Sequence, residues 1–194
     1  MRLCRRTSVV FMALGMLALA AAAAADQGAS ERPFAPGGRV RLDLSAGAYS
    51  IRAGRDDRIH VQWEARPSES GQVHVDIQVN GTTATVRTSG PRSGFRITIE
   101  LPARTDLNVD LTAGDLRIAG ITGNMDVGSW AGDVIIDVGR ADDYARVDAA
   151  VKAGEINASA FGVNKGGLFR SFTWKGPGQY RLKVRLTAGN VSLR

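Results

Sequence analysis

Apolar residues between Leu107 and Ile136 recur with a period of two that changes phase at an Ala-Gly pair. Numbered from the glycine, they fall at −7, −5, −3, +2 and +4. Around Gly114 these are Leu107, Val109, Leu111, Leu116 and Ile118; around Gly132 they are Met125, Val127, Val134 and Ile136, with Ser129 at the odd −3 position. The template fits three more places. Gly47 gathers Val40, Leu42, Leu44, Tyr49 and Ile51. Gly154 gathers Val147, Ala149, Val151, Ile156 and Ala158, and Gly189 gathers Leu182, Val184, Leu186, Val191 and Leu193. Five copies make an internal repeat.

A period of two puts one face of a strand in the core and the other in water. Positions −3 and +2 cannot share a face in one straight strand, so the backbone must turn at Ala-Gly. Glycine suits a type II turn, whose third residue needs φ > 0. A tight hairpin would also match the apolar faces, but hairpins prefer primed turns. The pattern therefore predicts corners, with successive copies stacked: an all-β, β-solenoid or β-helix-like pile of short strands. An antiparallel β-sandwich is the alternative.

Elsewhere the alternation is of ordinary strand type. Ile59, Val61, Trp63 and Ala65 form one run, ended by Pro67. Val73 to Val79 form another, running into Asn80-Gly81, a favoured type I′ hairpin pair. A loop of those two residues sets Ile77 opposite Ala84, Val75 opposite Val86 and His74 opposite Arg87. Phe95, Ile97, Ile99 and Leu101 follow, closed by Pro102. Residues 26–38, DQGASERPFAPGG, read as a flexible leader, so the β-repeat domain is expected over 39–194.

The first 25 residues have the form of a secretory signal: Arg2, Arg5 and Arg6, an apolar run from Val9 to Ala20, then alanines before Asp26. A periplasmic or secreted address is expected. Cys4, the only cysteine, precedes the apolar run, so the remainder must fold without disulfides. The whole-chain charge of +6 is inflated by this segment. Taking its three arginines from 25 basic residues leaves 22 against 19 acidic ones, a weak case for nucleic acid.

The stretch LPARTDLNVDLTAGDLRIAGITGNMDVGSWAGDVII and the later GGLFRSFTWKGPGQYRLKVRLTAGNVSLR resemble the bacterial putative-adhesin domains, over roughly residues 39–194. The resemblance implies a solenoid-like, non-catalytic envelope protein.

Two sets of residues are candidates for function. At +1 of the repeats stand Ala48, Asp115, Asp133, Glu155 and Asn190. Stacked, Asp115, Asp133 and Glu155 would form an acidic ladder able to bind calcium or to work as the paired carboxylates of a glycan-cleaving enzyme. The same residues are also plain turn chemistry beside glycine. At −2 the other copies carry Ser45, Thr112, Lys152 and Thr187, so Trp130 is expected to face solvent, where it could stack on a sugar or anchor a partner. A slip at Ser129 would turn it inward instead. Trp63, Phe172 and Trp174 fall on core faces. Arg181, Lys183 and Arg185 form a basic stripe, either a solvated face or a contact for anionic envelope polymer or lipid. His60 and His74 lie outside any zinc pattern, and neither a metal nor a cofactor is expected. The function expected is a non-enzymatic, adhesin-like or structural envelope protein whose partner is a cell-envelope glycan or protein. A β-helical hydrolase or lyase on extracellular polysaccharide is the rival reading.

Overall fold

A computed structural model describes residues 26–66, 70–91 and 94–194. The expected signal segment and Pro67 lie outside the described residues. The rest is all-β: β1 (Asp26–Pro33), β2 (Arg39–Leu44), β3 (Gly47–Ala53), β4 (Arg58–Ala65), β5 (His74–Asn80), β6 (Thr83–Ser89), β7 (Arg96–Leu101), β8 (Asp106–Ala119), β9 (Met125–Ala131), β10 (Val134–Ile136), β11 (Tyr144–Ala158), β12 (Val163–Lys175) and β13 (Tyr180–Leu193).

Each Ala-Gly pair is a corner through which the chain continues without reversing. Residues before the glycine form one arm of a rung and residues after it form the other. Rungs stack in parallel and in register: Val109 beside Val127, Val127 beside Val184, Val184 beside Ala149. All five positions of all five copies are buried, and both arms feed one core. Each fully buried Leu, Ile or Val contributes about 1.5–3 kcal/mol, so the repeat itself is the main source of stability.

The glycines form a column. Gly114, Gly132, Gly154 and Gly189 hold φ between +112° and +139°, and a Cβ on any of them would overlap the carbonyl oxygen of the neighbouring glycine. Gly47 is the exception, outside the positive-φ region, where the chain breaks between β2 and β3.

The column does not follow chain order. Its sequence is Gly47, Gly114, Gly132, Gly189, Gly154, because β13 enters between β9–β10 and β11. The expectation that successive copies are neighbours therefore fails at the last one. Identical templates fit either neighbour, and the return through β12, antiparallel to β11, brings the chain back on the inner side.

A sixth rung lies beyond Gly47. Ala84 and Val86 of β6 sit beside Val40 and Leu42, while Ile97 and Ile99 of β7 sit beside Tyr49 and Ile51. Its corner lacks Ala-Gly, and Phe95 fills it, edge-on to Tyr49 with centroids 6.3 Å apart. The buried Thr88 meets the Tyr49 hydroxyl at 2.9 Å, and that hydroxyl lies 3.2 Å from Ser45 Oγ.

Two local expectations need correction. Residues 26–33 are not a loose leader but β1, antiparallel to β4. The pairing is main-chain and needs no apolar alternation, so composition conceals it. The hairpin loop is Gly81-Thr82, with Asn80 paired to Thr83, so Ile77 faces Val86, Val75 faces Thr88 and His74 faces Ser89. A first-position glycine, with φ +59° at Gly81, is the type II′ arrangement. The two-residue slip leaves every side chain on its expected face.

The two ends of the stack are closed differently. At one end β1 and β5 approach each other. At the other, Phe161 packs on Phe172 and Trp174 at 5.7 and 5.0 Å, with Phe172 beside the small Ala149. Phe172 is buried, and Trp63 and Trp174 are partly buried against the core.

Candidate functional site

Rung order decides what the acidic row can do. At +1 the spatial order is Ala48, Asp115, Asp133, Asn190, Glu155. Asn190 thus separates Asp133 from Glu155 by two strand spacings, about 10 Å. It also occupies both neighbours. Its backbone N–H and its Nδ2 donate to Asp133 Oδ1 at 3.1 and 2.9 Å, and its Oδ1 accepts from the Glu155 N–H at 3.2 Å. The expected three-carboxylate ladder is therefore interrupted, and one oxygen of Asp133 is already engaged in holding rungs together.

The same device recurs at the far end of the first arm. Asn124 donates to Asp106 Oδ1 through N–H at 2.8 Å and Nδ2 at 3.1 Å, and accepts from the Arg181 N–H at 3.1 Å. In both places a carboxylate and an amide clip three parallel rungs together.

Trp130 stands where the alternation predicts, 68% exposed. Ser129 keeps its register beside Leu111 and Leu186, and its hydroxyl donates to the Ala131 carbonyl at 3.4 Å, so no slip turns the indole inward. The row at −2 runs Ser45, Thr112, Trp130, Thr187, Lys152. Next to Trp130, Gly128 leaves a shallow depression of about 300 Å³, rimmed by Asp110, Thr112 and Thr187. The lack of a side chain at Gly128 is what opens it.

Sequence reasoning missed two more exposed apolar residues, Leu168 at 67% and Phe169 at 81%. They follow Gly166-Gly167 on β12, and Phe169 is held at φ +52°, the one positive-φ residue besides glycine among the described residues. Its phase cannot be read from alternation because Gly166 and Gly167 carry no side chain to mark either face. Leu168 lies beside Ala153, so these side chains share the corner end of the stack with Trp130.

The basic stripe is dissected by its neighbours. Arg185 pairs with Asp126 at 2.7 Å, and Lys183 lies between Asp126 and Asp148. The Arg146 guanidinium grips Asp148 and holds its carboxyl below the usual range against the opposing effect of burial, helped by the Thr173 hydroxyl and the charge of Lys183. His60 bonds the carboxylates of Asp56 and Glu31 at 3.0 and 3.1 Å. Among the described residues no group of three or more His, Cys, Asp and Glu is arranged to hold a metal, and no helix is long and apolar enough to cross a membrane.

No family model matches the sequence, and no curated protein matches it. Among solved structures the chain is similar to a putative cell adhesion protein from Clostridium sporogenes, with a TM-score of 0.56 and 15% identity over 87% of this chain and 99% of that one. Putative adhesins from Parabacteroides merdae and Parabacteroides distasonis match at TM-scores of 0.29 each, with 9% and 11% identity. The first covers 57% of this chain and 55% of its own, the second 88% and 71%. The resemblance read from the repeat thus has a counterpart in solved structures, and the chain shares its all-β fold with the clostridial cell adhesion protein.

Proposed function

We propose that the protein is an exported, adhesin-like envelope module of β-solenoid type that acts by binding rather than by catalysis. Its contact is the outer side of the corner, and the depression beside Trp130 takes a sugar ring of a cell-envelope glycan. The observation that carries this reading is the exposed indole beside the gap left by Gly128. An aromatic face stacks on the C–H face of a saccharide while nearby hydroxyls and a carboxylate bond its rim. Thr112, Thr187 and Asp110 supply those groups here. Asp115, Asp133 and Glu155 serve the scaffold on this reading, and their outward oxygens form the edge of the contact. The similarity to the putative cell adhesion protein from Clostridium sporogenes supports it at the level of fold.

A glycan array probed with the secreted form tests the proposal. Saturable binding to a subset of saccharides is expected, weakened about tenfold by Trp130→Ala, the loss of roughly 1.4 kcal/mol of stacking. Unchanged binding in that variant would remove Trp130 from the site. Turnover of a polysaccharide, abolished by Asp133→Asn, would favour the enzymatic reading instead.

A further inference from the structure

A second surface, on the solvent face of the first arm and away from the corner, breaks a rule of sheet construction. At its edge one row crosses six strands: Arg39, Asp106, Asn124, Arg181, Arg146, Lys175. The last three place like charges directly opposite one another on β13, β11 and β12, which destabilises a sheet. Lys183 lies one step further in. Four cations thus face two carboxylates, Asp148, which Arg146 already grips, and Asp126, which lies beside Lys183 and is held by Arg185. Arg181, Lys175 and Lys183 have no ion-pair partner among the described residues. Together they line a shallow depression of about 1050 Å³. The other half, over β2, β8 and β9, holds Arg39 against Asp106 and Asp126 and is not basic.

We infer that this trough is a binding site for a linear acidic glycan, laid across the strands with its carboxylates or phosphates over Arg181, Arg146 and Lys175. Strand spacing of about 4.8 Å sets the interval between the cations, so a polymer with regularly repeated charge fits better than a single ion. The apolar residues that line the trough, Leu107, Met125 and Leu182, are buried and leave nothing there to insert into a bilayer. No aromatic ring lines it to stack on bases, which disfavours single-stranded nucleic acid. An unfavourable cluster of like charge, kept in register by rungs that are otherwise self-consistent, is relieved by a ligand of opposite sign. The inference stands apart from the Trp130 reading, because the two sites lie at opposite ends of the arm.

Calorimetric titration of the secreted form tests it, with polygalacturonate as the carboxylate probe, poly(glycerol phosphate) as the phosphate probe and dextran as the neutral control. The expected result is binding to one or both polyanions and none to dextran. It should be weakened at least about tenfold by Arg181→Glu with Lys175→Glu, and strongly reduced by added salt. Arg96→Glu with Arg117→Glu makes the same change in net charge on the other arm and is expected to shift affinity less than about threefold. Should the reversed pair fail to fold, Arg181→Gln with Lys175→Gln carries the test with a smaller loss. Poly(glycerol phosphate) has no sugar ring to stack on Trp130, so its binding reports on the trough alone and failure of the corner site is read separately. Equal loss in both double variants, no binding to either polyanion, or equally tight binding of polyglutamate would each overturn the assignment.

Discussion

Gly132 and Trp130 are two residues apart on the same turn, yet they answer to opposite demands. The inner side of the corner admits one residue type: a side chain there would run into the carbonyl of the next rung. The outer side carries Ser45, Thr112, Trp130, Thr187 and Lys152 with no common chemistry. The stack is built by the positions that repeat, and recognition belongs to the positions that differ. A repeat protein concentrates constraint and freedom within a few ångströms of each other, so the residue that departs from its own row is the one to question.

The sharpest way to break this comparison is at the column. Gly132→Ala should cost about 3 kcal/mol or more in urea unfolding, since it adds both backbone strain and a main-chain clash. The core-facing tyrosines come next. Burial, with the charge of Asp143 and the neighbouring Tyr180, pushes the Tyr144 hydroxyl up to about 12 from its ordinary value of 10.0, and burial also raises Tyr49. A raised folded-state value means the stabilisation is complete below pH 10 and is lost as the unfolded chain ionises between pH 10 and 12. Stability should fall by about 2 kcal/mol across that window, and Tyr144→Phe should flatten most of the slope. Asn190→Ala removes the clip between Asp133 and Glu155 and should cost about 1 kcal/mol. Trp130→Ala should change stability by less than about 0.5 kcal/mol. A large loss there would mean that the indole serves the fold and would undo the contrast.

The template positions, the corners and the outward Trp130 are legible in the sequence because period and parity depend on the backbone alone. Neighbour relations are not. Val127 and Val184 offer the same face at the same height, so periodicity cannot say that β13 precedes β11 in the stack. The sixth rung escapes notice because Phe95, not Ala-Gly, fills its corner. β1 escapes because an edge strand can pair through its backbone without any apolar signal. The acidic row was visible as residues but not as an arrangement, since Asn190 enters it only through the rung order. The trough was half visible: the stripe Arg181, Lys183 and Arg185 lies on one strand, while Arg146 and Lys175 join it from two others.

The interleaving of β13 has a bearing on how the molecule comes to be. Residues 180–193 supply a middle layer, not an outer one, so β9 and β11 have nothing to hold them together until that segment arrives. The layers up to β10 pair among themselves, but β11 and β12 join them only through β13. The joint between the two parts of the stack is therefore made of pairings distant in sequence, which close slowly.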